Sequence, residues 1–434
     1  MADSSKAEAP TDSPGNLDSP SAQKRGSFLQ GILRGLRSLT IPLLALFSAL
    51  VIGAIFIVVT DPKILSAWAN FFSDPGHALS LSWTTVSTAY SSLFLGAIGN
   101  PSDMLDGIRS FLASGETKLL ASAFYPISES LVAATPYIFA GLAVALGFKC
   151  GLFNIGAEGQ IYIGALVAAF VGYSIVGLPW YIHLPLTFLA GALGGAIWAG
   201  IPGFLKARTG AHEVINTMMM NYVAFRLADY LLTGPMKRGG AQGFIPISPT
   251  IQTSAYFPQF FPDPLRIHLG FVVAILIAIV VWWFLTKTTL GFEIRTTGAN
   301  IRAARYAGIN VSRTIIVTMA LSGALAAMAG ASEVMGVNHN LAQGFSPGYG
   351  YDSIALALLG GGSPIGVVFS ALVFGGMRNG ATKMQAIAGI PIDIISILQA
   401  VIIMFVAAPA IIRWLYRLKA EDRLGTVFTR GWGG

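Results

Sequence analysis

The feature that most constrains this chain is a series of uncharged apolar blocks, each long enough to cross a membrane. They run Ile41 to Val59, Leu131 to Phe148, Ile161 to Ile182, Leu184 to Leu205, Leu269 to Leu285, Thr314 to Ser332, Ser353 to Met377 and Ile394 to Ile412. A run of about 20 apolar residues spans the hydrocarbon core as a helix, since only helices and closed barrels satisfy every backbone polar group without water. Of the 434 residues, 54% are apolar and only 11% charged, against about 25% charged in a soluble domain. The expected fold class is all-α, a polytopic membrane protein.

The net charge of +7 fits a bilayer orientation signal better than a nucleic-acid partner, and none is expected. A single cysteine, Cys150, can make no internal disulfide, and five scattered histidines give no metal-ligand spacing. Residues 1–26, rich in Ser, Pro, Ala, Asp and Glu, read as a disordered cytoplasmic arm, 27–412 as the transmembrane domain, and 413–434 as a basic cytoplasmic tail. Phe28 to Leu39 has the pattern of a basic interfacial helix.

Lys and Arg near the spans fix the expected topology. The N-terminal approach carries Lys24, Arg25, Arg34 and Arg37, the loop from Lys287 to Arg313 carries five basic residues and the tail from Arg413 to Arg430 another five. The long polar segments 60–126 and 234–268 carry three each. Both termini and the 287–313 loop are therefore expected on the cytoplasmic side of a multi-pass plasma-membrane protein. With Val214 to Leu232 as a further span, parity requires two short or half-spanning helices between 349 and 377, broken at Gly360-Gly361-Gly362-Ser363-Pro364. The total is about ten membrane segments. Spacings such as Gly191 with Gly195 and Gly323 with Ala327 suit close helix packing.

No G-x-x-x-x-G-K-[ST] phosphate cradle and no H-E-x-x-H zinc motif occurs. Chemistry concentrates instead in Lys149 to Gln160, where three glycines bracket Asn154, Glu158 and Gln160 between two apolar blocks. Such a stretch unwinds the helix and turns polar groups toward protein or water, as in the broken helices that line transport pathways. The residues equally allow a plain hairpin in which Glu158 pairs with Lys149. In the span from Val214, Asn216 and Asn221 are further pathway candidates, with Met218, Met219 and Met220 as adaptable apolar surface. Arg226 and Asp229 are expected to pair with each other.

The string GLFNIGAEGQ (Gly151 to Gln160), preceded by TPYIFAGLAVALGF (Thr135 to Phe148), closely resembles permease subunits of ABC importers in the branched-chain amino acid, ribose and nucleoside permease superfamily, above all its nucleoside branch. HEVINTMMMNYVA (His212 to Ala224) and GFEIRTTGANIRAARYAGI (Gly291 to Ile309) agree. The resemblance implies alternating access by a subunit with no cofactor of its own, embedded in membrane lipid. It also implies a second permease subunit, a cytoplasmic ATP-binding subunit holding ATP and Mg, and an extracytoplasmic substrate-binding lipoprotein. A simple-sugar permease is the alternative within the superfamily, and an ion-coupled secondary transporter the alternative outside it. A membrane enzyme is the third reading. The long loop, where Asn300 to Ala307 can form a short helix with Ala303, Ala304 and Ala307 on one side, Arg302 and Arg305 flanking and Gly308 closing it, is then the expected contact with the ATPase.

Overall fold

A computed structural model describes residues 40, 43–240 and 244–417. The arm, the expected interfacial helix and the tail beyond residue 417 lie outside these. Apart from two isolated bridges, Ile247 with Ala342 and Gln259 with His268, regular structure among the described residues is helical. The helices are α1 (Leu43–Thr60), α2 (Pro62–Ala69), α3 (Pro75–Ala97), α4 (Pro101–Ser114), α5 (Thr117–Lys149), α6 (Ala157–Ser174), α7 (Trp180–Thr209) and α8 (Glu213–Thr233). There follow α9 (Leu269–Lys287), α10 (Thr289–Ala299), α11 (Ile301–Tyr306), α12 (Val311–Glu333, continued by a π turn Val334–Asn338), α13 (Tyr349–Leu359), α14 (Pro364–Ala388), α15 (Asp393–Ala407) and α16 (Pro409–Leu415). Five of them, α1, α5, α7, α9 and α12 with its π turn, are individually long and apolar enough to cross a membrane.

The core forms where small residues let helices close on one another. α7 runs antiparallel to α12, so that Gly203 meets Met319, Gly195 meets Gly323 and Ala327, and Gly191 meets Ala331. A Cβ added at Gly203 would stand 2.8 Å from the Cβ of Met319. α14 runs antiparallel to α5, with Val367 against Gly141 and Gly375 against Ser130 and Ala134. Without a hydrophobic driving force in lipid, this backbone proximity is what holds such helices together. The end bearing Lys149, α10 and α11 is the basic end. The opposite end is capped by residues 244–268, where Ser248 N–H donates to Leu341 O, Ile251 N–H to His339 O and Phe257 N–H to Met335 O.

Three expectations change. The block Ile161 to Ile182 is not one span: α6 ends at Ser174 and α7 starts at Trp180, separated by Gly177 at φ +84° and by Pro179. The segment 60–126 is not a plain polar loop. It holds α2, α3 and α4, and α3 packs on α5 and α14 by burying Ala89, Ser92, Leu93 and Gly96. The expected hairpin does break at Gly360–Ser363, next to Lys149, but its arms are unequal: α13 has 11 residues, whereas α14 has 25 and runs on past Met377 to Ala388. Ser363 caps α14 by accepting from Gly366 N–H at 3.0 Å, with Pro364 at the first helical position.

Candidate functional site

α5 stops at Lys149 because Gly151, at φ +73°, turns the chain back. Residues 152–156 then re-enter the bundle and lead into α6. Such non-helical backbone inside a membrane protein needs polar partners, and Asn154 supplies most of them. Wholly buried, it donates from Nδ2 to Gln160 Oε1 (2.9 Å) and Ser322 Oγ (2.9 Å), while its Oδ1 accepts from Gln160 Nε2 (3.1 Å) and Gly156 N–H (3.0 Å). Ser322 in turn donates to Ala143 O at 2.7 Å. From α8, Asn221 accepts from Gly159 N–H (2.8 Å) and donates to Ile155 O (2.9 Å). The motif is thus clamped to α5, α8 and α12.

Glu158 does not pair with Lys149. Its buried carboxylate accepts from Gly350 N–H at 2.6 Å, in the first turn of α13, where the exposed N–H groups and the helix dipole favour an anion. Only glycine fits at 350, since a Cβ there would strike the backbone of Glu158. Lys149 instead lies by Gly362 at the α13–α14 turn.

Two further carboxylates, Glu333 and Asp352, which sequence reading did not single out, join Glu158 at α13. Tyr349 OH donates to Glu333 Oε1 (3.2 Å), and Asn338 Nδ2 donates to Glu333 Oε2 (3.3 Å). Tyr137 OH donates to Asp352 Oδ2 (2.8 Å), and the Tyr137 and Tyr349 rings meet edge to face at 4.9 Å. Beside Glu158 and Asn221 lies a cluster of rings that no sequence signal singled out. Tyr162 stands 4.8 Å from Phe225 and 4.9 Å from Phe345, Tyr222 packs on Phe225, and Tyr351 borders both Glu158 and Asn221. Tyr222 and Tyr351 are exposed, so the cluster is open on one side.

Asn216 Nδ2 makes no hydrogen bond to these residues and is buried without a partner, while Met218 and Met219 face outward. Arg226 and Asp229 pair as expected at 3.4 Å, and Asp229 also accepts from Gln343 Nε2 at 2.7 Å. Gly344-Phe345-Ser346-Pro347-Gly348 has the G-x-S-x-G spacing of a hydrolase elbow. It occupies the loop before α13, without the strand-turn-helix setting that exposes such a nucleophile.

In the basic loop, Asn300 caps α11 by accepting from the N–H groups of Arg302 and Ala303. The small-residue face divides: Ala304 is fully buried, Ala303 and Ala307 are exposed, and Gly308 at φ +81° ends the helix. A six-residue helix offers one inward face, and Ala304 fills it. The outward side carries Arg302, Ala303, Arg305 and a Tyr306 that is 97% exposed. α10 abuts the unwound motif directly, because Gly298 packs on the backbone of Lys149, Cys150 and Gly151.

Residues 127–407 match the family model described as the branched-chain amino acid transport system permease component. The guanosine ABC transporter permease protein NupP of Bacillus subtilis is 41% identical over 70% of this chain and 88% of its own length. The glucose ABC transporter permease protein TsgB13 of Haloferax volcanii is 36% identical over 79% of this chain and 91% of its own. For the nucleoside ABC transporter permease protein NupB of Lactococcus lactis the figures are 34%, 66% and 80%. No solved structure matches the chain. With a family match spanning residues 127–407 and apolar helices of spanning length, the chain belongs to the branched-chain amino acid transport system permease component family, as a multi-pass membrane subunit.

Proposed function

We propose that this chain is the membrane subunit of an ABC importer for nucleosides, working by alternating access driven by a cytoplasmic ATP-binding partner. The reading adds a second permease subunit and an extracytoplasmic binding lipoprotein, and it places both termini and α10–α11 in the cytoplasm. The observation that carries it is the junction of the Asn154–Gln160 motif, α13 and the open ring cluster. Asn221 and Glu158, buried, fix the motif and α13 behind Tyr162, Phe225 and Phe345, and the exposed Tyr222 and Tyr351 present their rings and hydroxyls on the open side. Flat rings bearing hydroxyls suit a nucleobase with its ribose, since base–aromatic stacking contributes about 1–3 kcal/mol per base. Two of the relatives above bear nucleoside or guanosine in their names.

The proposed transmission follows the packing. A partner seated on Arg302, Ala303, Arg305 and Tyr306 moves α11 and α10, Gly298 bears on Cys150–Gly151, and the motif carries the displacement to Glu158 and α13. The buried Ala304 anchors α11 to the bundle instead of touching the partner.

A simple sugar is the second reading, favoured by the glucose permease relative. Uptake of radiolabelled guanosine by cells lacking the chain, with and without its restoration, separates the two. The proposal expects restored uptake that other nucleosides compete and excess glucose leaves untouched. Glucose transport without guanosine transport would replace it.

A further inference from the structure

Arg226 and Asp229 have no assigned role, and their place on α8 is unusual for a charged pair. They sit about two-thirds and four-fifths of the way along that helix from the end where Lys206 holds Glu213. The inner face of α8 packs on α6, with Thr217 against Gly156, and Asn221 and Ala224 against Gly159. The outer face carries Met218, Tyr222, Arg226 and Tyr230 at four-residue spacing, all exposed, and the Arg226 side chain keeps 86% of its surface. A guanidinium and a carboxylate in that position are costly against lipid. This side of α8 therefore faces water or protein, and the ring cluster opens onto the same side through Tyr222.

Asp229 is tied to that cluster at three points. Phe225, four residues earlier, lies on the same side of the helix. The Tyr162 hydroxyl lies within range of the Asp229 charge. Gln343, which donates to Asp229 Oδ1 at 2.7 Å, belongs to the loop that carries Phe345 onto the Tyr162 ring. On the other oxygen, Oδ2 accepts from Arg226 Nη1 at 3.4 Å, a long and exposed contact that contributes little by itself. A carboxylate oxygen has room for two donors, and each of these has one side-chain partner among the described residues. Arg226 makes no hydrogen bond among them besides the one to Asp229. The edge of the ring cluster thus presents two open acceptor positions beside open guanidinium donors.

That order of groups is complementary to a base edge on which an oxygen stands next to two N–H donors. Guanine has it, with O6, N1–H and the N2 amino group side by side. Hypoxanthine lacks the amino group, and adenine puts an acceptor at N1, so each satisfies only one carboxylate oxygen. We propose that Asp229, together with Arg226, is the specificity-determining pair of this site. A base stacked on the exposed tyrosines turns its edge to α8, where Asp229 accepts two adjacent N–H donors and Arg226 donates to the neighbouring oxygen, so that guanine nucleosides are preferred. This rests on the nucleoside reading above and adds the residues that discriminate among nucleosides.

The test is the half-saturation concentration for uptake of radiolabelled guanosine, inosine and adenosine by cells carrying the full transporter, with native or variant chains at matched abundance in the membrane. The native chain should favour guanosine, with inosine and adenosine behind it. Asp229→Asn should weaken guanosine by about tenfold, the discrimination carried by one bidentate contact to a base, and adenosine by much less. Asp229→Glu retains the carboxylate and should retain the guanosine preference, which separates loss of recognition from poor folding of the Asn variant. Gln343→Ala removes only the internal partner of Asp229 and should leave the ratio of guanosine to adenosine unaltered. Equal weakening of all three nucleosides in Asp229→Asn would assign the carboxylate to the ribose diol they share. Loss of discrimination in Gln343→Ala as well would make Asp229 an anchor for the 344–348 loop, and unchanged values in Asp229→Asn would remove it from the site. Each of these overturns the proposal while leaving nucleoside transport in place. Absence of uptake of every nucleoside by the native transporter would remove the function itself, and the proposal with it.

Discussion

Replacing Asn154 by alanine probes the clamp at the centre of the site. The substitution removes four hydrogen bonds of 2.9 to 3.1 Å and leaves Gly156 N–H and both polar atoms of the Gln160 amide without their partner. Hydrogen bonds in helical membrane proteins average about 0.6 kcal/mol and reach about 1.7 kcal/mol each. Four therefore come to about 2.4 kcal/mol, with the upper part of the range opened by the stranded buried donors. At about 2 °C per kcal/mol for a chain of this size, Asn154→Ala should melt about 5 °C below the native chain in a fixed detergent. Ser322→Ala, which loses its contacts with Asn154 and Ala143 O, should fall by about half as much, and the two changes together by less than their sum because they share a bond. A melting temperature within 1 °C or so of native for Asn154→Ala, or full additivity with Ser322→Ala, would refute the idea that this amide fixes the re-entrant chain.

Three other outcomes follow from the same geometry. Glu158→Gln keeps an acceptor for Gly350 N–H but trades a charge-assisted bond for a neutral one, a difference of about 1 kcal/mol; the complex should fold and assemble yet take up substrate poorly, and normal uptake would remove Glu158 from the pathway. Gly298→Val pushes a side chain into the Cys150–Gly151 backbone, so ATP hydrolysis by the assembled complex should lose its dependence on substrate, whereas intact coupling would break the proposed α11–α10 route. His268, in the cap before α9, accepts from Gly270 N–H on Nδ1, and burial, followed by the nearby His339 and Arg266, lowers its pKa from 6.5 to about 4. The unfolded chain then takes up a proton that the folded chain refuses, so stability is complete above about pH 6.5 and falls by about 3 kcal/mol as pH drops to 4; a His268→Gln chain losing stability in parallel with the native one would exclude this histidine.

What sequence could and could not show follows from what each residue contacts. α1, α9 and α12 were legible because their blocks are apolar throughout and end at charges. α3 was hidden by its eight serines and threonines, which look polar but spend their hydroxyls on their own helix, as Ser82 does on Ala78 O and Ser91 on Thr88 O. The end of α6 was missed because Ile175 and Val176 continue the apolar run past the last helical turn. Asn154 and Gln160 were legible as a costly polar insertion, but the partner of Glu158 was not, since Gly350 lies 192 residues away. Glu333 and Asp352 went unremarked because they fall just outside the apolar blocks, and hydropathy does not register whether a tyrosine hydroxyl meets a charge. Ala304 looked like an outward residue until the bundle supplied a surface for it to face.

Those two extra carboxylates bear on mechanism, since an ion-coupled transporter needs ionisable groups in its interior. Both accept tyrosine hydroxyls, which fits a fixed network around α13 better than a mobile proton relay. The decisive measurement is guanosine uptake into proteoliposomes containing this chain, first alone under an imposed proton or sodium gradient, then assembled with its second permease, ATP-binding subunit and binding protein. Uptake that is absent in the first case and strictly dependent on ATP hydrolysis in the second is the predicted result. Gradient-driven guanosine uptake by the chain alone would contradict the account.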